Sequence, residues 1–140
     1  MTQRTPAEDS DEGRDETRDE TRDEIAEKHH WWTSATVDAR LRGTFDGAGA
    51  RAAALLIASL VGDVPGADAE ASDIASCRLM LDALRVSEGD LGKLAMWVEA
   101  AHADPRDLIA AAEYRRELGG PHEASRAADL AEYLMWCARA

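Results

Sequence analysis

Residues 68–89, DAEASDIASCRLMLDALRVSEG, favour a helical fold because their apolar side chains recur at spacings of three and four residues. That spacing places them along one face of an α-helix, where they form a narrow apolar seam. The seam consists of Ile74, Cys77, Leu81 and Leu84. The pattern predicts a helix that begins near Asp68, ends near Gly89 and buries this seam.

Helical patterning continues along the rest of the chain, with Gly, Pro and Asp residues at helix-length intervals. β-Branched residues are sparse and no strand-like alternation of apolar and polar residues is present. The other segments predicted to be helical are Glu24 to Phe45, Ala50 to Val61, Asp90 to about His102, Asp104 to Leu118, and Pro121 to near Ala140. We therefore predict an all-α fold, a compact bundle of about five to six Ala-rich helices.

The segment from Ala50 to Val61 is apolar nearly all round, with Arg51 and Ser59 as its polar exceptions. A helix that is apolar on every side is typical of the buried centre of a domain. The sequence therefore predicts that this helix is the central, buried one.

The tetrapeptide Asp104-Pro105-Arg106-Asp107 is a strong signal for a helix start. An aspartate at the N-cap accepts hydrogen bonds from unpaired amides, and proline fits the first turn because its missing N–H costs nothing there. Asp90 is a second N-cap candidate, at the start of the preceding helix.

The first 24 residues differ from the rest of the chain, because they are highly charged and contain the repeat GRDE-TRDE-TRDE at residues 13–24. The chain up to Lys28 holds eleven acidic and five basic residues, a net charge of −6 out of −12 for the whole chain. Without an apolar stripe such a segment has nothing to bury. We predict a disordered acidic tail at residues 1–24 and a single helical domain at residues 25–140.

Acidity in both parts argues against direct binding to nucleic acid or to anionic membranes, which such a surface repels. The most apolar run, Ala52 to Val61, is about half as long as a membrane span. The acidic N-terminus lacks the pattern of a secretion signal. Cys77 and Cys137 show no CxxC spacing, and we expect them to be buried free thiols in the cytoplasm.

No arrangement of residues in the sequence predicts catalysis, a metal or another cofactor. The adjacent His29 and His30 point in different directions on a helix and form a poor chelating pair. Glu113 and Glu132, each in an Ala-Glu-Tyr triplet, are predicted to face each other across two helices if those helices pack together. A carboxylate-bridged metal site in a bundle also needs Glu-x-x-His pairs, which the chain lacks.

The candidate partner-binding residues are four tryptophans and two methionines beside predicted apolar faces. Tryptophan is enriched at the energetic centres of protein interfaces, and methionine adapts to different contacts. Plain core packing is the alternative for the same side chains. The candidates are Trp31, Trp32, Met96, Trp97, Met135 and Trp136.

Three function classes are compatible with these features. The first is a non-catalytic interaction or regulatory module that binds a protein, such as one with a basic surface, through a helical face with the help of an acidic arm. The second is an acidic mimic of nucleic acid, acting as an inhibitor or antitoxin. The third is a small enzyme or ligand carrier with a pocket that the sequence does not reveal. The oligomeric state is left open.

Overall fold

The computed structural model describes residues 21–115 and 123–139, and the described residues form helices and connecting turns without a strand. The predicted all-α fold is confirmed. The helices are α1 (Arg22–His29), α2 (Ser34–Thr44), α3 (Gly47–Ala58), α4 (Ala69–Ser87), α5 (Leu91–Ala103), α6 (Pro105–Glu113) and α7 (Glu123–Cys137). The described residues alone thus form seven helices, more than the expected five to six.

Helix α4 lies at the centre of the bundle, packed against α2, α3, α5 and α6. Its predicted seam is confirmed, since Cys77, Leu81 and Leu84 are buried and Ile74 packs against the core. The last helix, α7, contacts α6 and α1. The structure is thus organised around one long helix.

Aspartate side chains start three helices, as the sequence predicts for two of them. Asp90 accepts a hydrogen bond from the amide of Lys93 at 3.0 Å. Asp104 accepts one from the amide of Arg106 at 3.0 Å, with Pro105 in the first turn. Asp68 caps α4 in the same way.

The predicted single helix from Glu24 to Phe45 is wrong, because the chain turns between α1 and α2. The turn is closed by the amide of Trp31, which donates to the Lys28 carbonyl, and then Thr33 adopts extended backbone. The Thr33 hydroxyl accepts from the Thr36 amide at 3.2 Å and starts a new helix. A local side-chain cap therefore overrides the continuous helical pattern.

The predicted tail lies mostly outside the described residues, which begin at Thr21. Thr21 and Glu24 form a capping box, each side chain bonded to the other's backbone amide, so that residues 21–24 belong to the start of α1.

The predicted helix from Asp104 to Leu118 ends earlier, at Glu113. Tyr114 leaves the helical conformation, with φ −128° and ψ 44°, while its amide still bonds to the Ala110 carbonyl. Residues 116–122, which include the rest of this segment and the predicted start at Pro121, lie outside the described residues.

Helix α3 is not the central helix that its apolar sequence predicts. Ala53 and Ile57 are buried, but the Leu55 side chain is 77% exposed. The centre is taken by α4 despite its polar residues, because those residues find partners: Ser72, for example, accepts from the Val64 amide at 2.9 Å. Hydrogen bonding makes a polar helix compatible with burial, so hydrophobicity alone misassigns the centre.

Cys77 and Cys137 are both buried and unbridged, as expected. Burial raises the pKa of the Cys77 thiol, and burial raises that of Cys137 to about 12. Both thiols therefore stay protonated at neutral pH. Within the described part of the chain, no helix combines the length and apolarity needed to cross a membrane.

Replacing Leu81 with alanine is expected to lower the free energy of unfolding by roughly 2–5 kcal/mol, because this fully buried side chain would leave a cavity at the centre of α4. The matched change Leu79→Ala, at a partly buried position on the same helix, is expected to cost less. Denaturant unfolding of both variants checks this. Equal losses would contradict the register assigned to α4.

Candidate functional site

Of the predicted partner-binding aromatics, Trp32 lies deepest, with 4% of its surface exposed. Its indole Nε1 donates a hydrogen bond to the Tyr133 hydroxyl at 3.0 Å, and the Arg78 guanidinium carbon lies 4.4 Å from its ring centroid. Trp31 is half-buried and meets the His30 ring edge-on at 5.1 Å between centroids. Trp32 therefore belongs to the core and Trp31 to its edge.

In each predicted Met-Trp pair the tryptophan packs against the core and the methionine is exposed. Trp97 and Trp136 are half-buried and pack against the core. Met96 and Met135 are 57% and 70% exposed. The tryptophans therefore anchor the two helices, while the methionines are free to contact a partner.

The two Met-Trp pairs lie on different helices. Met96 is on α5 and Met135 on α7, and these helices have no extensive interface with each other in the described residues, although both pack on α6.

A buried polar network around Glu113 is the main feature that sequence reasoning missed. The carboxylate of Glu113 accepts a hydrogen bond from Lys28 Nζ at 2.7 Å. The Arg78 guanidinium donates to both of its oxygens, at 2.6 and 2.8 Å. Glu113 and Lys28 are each 2% exposed, so their ion pair is buried, and the half-buried Arg78 lies at its edge.

The network continues from Glu113 through Asp82 to two aromatic residues. The Tyr133 hydroxyl donates to Asp82 Oδ1 at 2.7 Å and accepts the Trp32 indole N–H. Among the described residues Asp82 Oδ2 has no hydrogen-bond partner, and the Glu113 carboxylate is the charged group that acts most strongly on Asp82. Two buried carboxyl groups that interact this strongly do not both ionise, and Glu113, which has two cationic partners, keeps the charge, so the proton lies on Asp82.

The pKa shifts of Asp82 and Glu113 agree with this placement of the proton. Burial raises the pKa of Asp82 well above its ordinary value, and the charge of Glu113 raises it further. Burial alone would also raise the pKa of Glu113, but hydrogen bonds from Asp82 and Arg78 and the charges of Arg78 and Lys28 lower it to about 2. At neutral pH the pair is therefore a neutral Asp82 beside an ionised Glu113.

Arg78, Asp82 and Arg85 form a polar row at spacings of four and three residues along α4. The Arg85 guanidinium donates to the Ala112 carbonyl at 2.7 Å and lies 3.8 Å from the Glu132 carboxylate. Glu113 and Glu132 thus have different cationic partners. The row is visible in the sequence beside the apolar seam, and it was the available signal for a buried network.

The Glu113 network positions helices. Its members are buried and bonded to one another, and within the described residues no group of three His, Cys, Asp or Glu side chains is arranged to hold a metal ion. A separate groove of about 610 Å³ lies between α4 and the α1–α2 turn, with His30, Asp73 and Cys77 among its lining residues.

Comparison of the chain with protein-family models, with curated proteins and with solved structures finds no match. Function is therefore inferred below from the geometry of the described residues.

Replacing Asp82 with asparagine is expected to make the protein increasingly more stable than the wild type as the pH rises. The asparagine side chain has the size of the aspartic acid, its carbonyl can accept from Tyr133, and, like the protonated acid, it carries no charge. In the wild type, unfolding releases Asp82 to ionise above its ordinary pKa of 3.8, which favours the unfolded state as the pH rises. The advantage of Asp82→Asn should grow by up to about 1.4 kcal/mol per pH unit.

Denaturant unfolding at about pH 4 and about pH 7 measures this difference. Asp82→Ala, which removes the hydrogen bonds as well, is the control and should be less stable than Asp82→Asn at both values. If Asp82→Asn instead loses stability relative to the wild type as the pH rises, Asp82 is ionised in the folded protein.

Proposed function

We propose that this protein is a non-catalytic module that binds a protein partner through the solvent-facing side of α3 and α5. This surface, called the α3–α5 face below, is supported by one observation above all: Leu55, in the most apolar helix of the chain, has 77% of its side chain in solvent. A helix that is apolar nearly all round, yet lies at the outside of the bundle, leaves apolar surface that the domain itself does not cover.

Two rows of side chains on neighbouring helices make up the α3–α5 face. The helices run in the same direction, because Ser59 after α3 bonds to His102 near the end of α5 at 3.0 Å, while Gly49 and Leu91 at their beginnings line one cavity. The rows therefore border each other along their length. The exposed and half-buried positions on these sides are Ala48, Arg51, Ala52 and Leu55 on α3, and Leu91, Ala95 and Glu99 on α5.

Met96 extends the face on the outer side of α5, where it is exposed next to Ala95. Small alanines with a protruding leucine and a flexible methionine suit a partner helix that packs closely against the face. Met135, on α7, is likewise exposed.

The acidic arm contributes to the choice of partner in this proposal. The net charge of the chain is −12, which favours encounter with a basic protein. An acidic nucleic-acid mimic would also bind a basic partner. The interaction module and the mimic differ in what stabilises the complex, which is apolar contact for the module and charge for the mimic. Apolar contact at Leu55 changes little with salt, whereas a charge-only complex weakens steeply.

The proposed place of action is a reducing compartment such as the cytoplasm. The two buried, unbridged thiols support it, because free cysteines persist where the surroundings keep thiols reduced.

Site-specific photo-cross-linking in the full-length protein tests the proposed face. A photoreactive amino acid at position 55 or 96 is expected to capture the same partner, while the same amino acid at the exposed positions Asp38 and Arg106 on other helices captures none. Leu55→Ser should abolish capture from position 96 and leave the melting temperature nearly unchanged, because the side chain is exposed.

Equal cross-linking from all four positions, or none from positions 55 and 96, would contradict the proposed face. Capture that survives Leu55→Ser but disappears on adding salt would favour the acidic mimic instead.

A further inference from the structure

Helix α1 is held to the bundle by charged side chains. Of its eight residues, Lys28 is buried and Glu24 is half-buried, whereas Ile25, its one large apolar residue, is exposed. Glu24 pairs with Arg126 of α7 at 2.7 Å and Lys28 pairs with Glu113 at 2.7 Å. Apolar burial therefore adds little to the docking of α1, which depends on two ion pairs. Helix α1 supplies the anion of one pair, Glu24, and the cation of the other, Lys28.

The surroundings of Lys28 form a cage suited to a primary ammonium group. Its Nζ donates to Glu113 Oε1 at 2.7 Å and to the Tyr114 hydroxyl at 2.9 Å. It also lies 4.6 Å from the Tyr114 ring centroid and 6.0 Å from that of Trp32. A carboxylate, a hydroxyl and two aromatic rings stabilise a cation by charge, hydrogen bonds and cation–π attraction. Glu113, Tyr114 and Trp32 are called the ammonium cage below.

The walls of the ammonium cage do not belong to α1. Glu113 is held in place by Arg78, Trp32 is held by Tyr133, and Tyr114 closes the end of α6. Departure of Lys28 therefore removes the occupant and leaves these contacts of the walls in place, although the Trp32 amide also donates to the carbonyl of His29 at the end of α1.

We propose that the ammonium cage is a binding site for a lysine side chain of a partner protein, which the chain's own Lys28 fills while α1 is docked. This site lies apart from the α3–α5 face and does not depend on it. The partner that fits is lysine-rich, because eleven acidic residues lie in the chain up to Lys28 and attract such a protein to α1. Lysine side chains that pair with these acids compete with Arg126 for Glu24 and present an ammonium group to the cage.

Tethering gives Lys28 an advantage over any free amine, since it competes at a high effective concentration. The test therefore begins with the full-length Lys28→Ala variant, whose cage is vacant, and with n-butylammonium chloride, which reproduces the end of a lysine side chain. Bound amine stabilises the folded state by mass action, so the melting temperature of Lys28→Ala is expected to rise by several degrees. Sodium chloride at equal ionic strength and butan-1-ol are the controls.

Lys28→Met is the matched variant, because its uncharged side chain fills the cage and is expected to give no specific response to the amine. A rise in Lys28→Ala no larger than that given by sodium chloride, or an equal rise in Lys28→Met, would overturn the proposal.

Hydrogen exchange of the wild-type protein decides the question if Lys28→Ala does not fold. Poly-L-lysine, which pairs with the acidic residues near α1 and therefore presents its ammonium groups at a high local concentration, should compete with Lys28 and speed the exchange of the α1 amides, whereas poly-L-arginine at equal charge should not. Equal exchange of α1 under the two conditions would overturn the proposal.

Discussion

The buried carboxylate of Glu113 is the constraint on which the arrangement of the bundle depends. An ionised carboxylate away from water is very costly unless cations and hydrogen-bond donors surround it. Glu113 obtains them from Lys28 of α1 and from Arg78 and Asp82 of α4. Through Asp82 and Tyr133 the same network reaches α7 and the Trp32 indole. One charge on α6 therefore fixes the relative positions of α1, α4 and α7.

This arrangement separates the molecule into regions with different physical chemistry. At α1 the contacts are ionic, because Glu24 and Lys28 provide the docking and Ile25 is left in solvent. On α3 the exposed surface is apolar and Leu55 protrudes from it. The acidic residues before and within α1, a helix that is docked by ion pairs, suit recognition of a basic protein. The apolar surface of α3 suits close packing of a partner helix. The two proposals assign one kind of partner contact to each region.

Local patterns predicted the features that depend on neighbours in sequence. The seam of α4 and the caps at Asp90 and Asp104 follow from spacing and from cap chemistry, and both are confirmed. Burial of Lys28 was not predictable from the sequence around it, because its partner Glu113 lies 85 residues away. The central position of α4 was not predictable for the same reason, because the partners of its polar side chains are distant in sequence. The more apolar α3 was therefore assigned to the centre. Hydrophobicity alone thus placed α3 at the centre, which α4 occupies.

Unfolding of Glu113→Gln by denaturant at neutral pH measures the central claim most directly. Glutamine keeps the shape of the side chain and removes its charge, leaving the buried Lys28 and the neighbouring Arg78 without their carboxylate. The matched control is Glu88→Gln, which removes the carboxylate of the exposed ion pair with Lys93 and should change stability little. The account predicts a loss of about 3–5 kcal/mol for Glu113→Gln. A loss no larger than that of Glu88→Gln would contradict it.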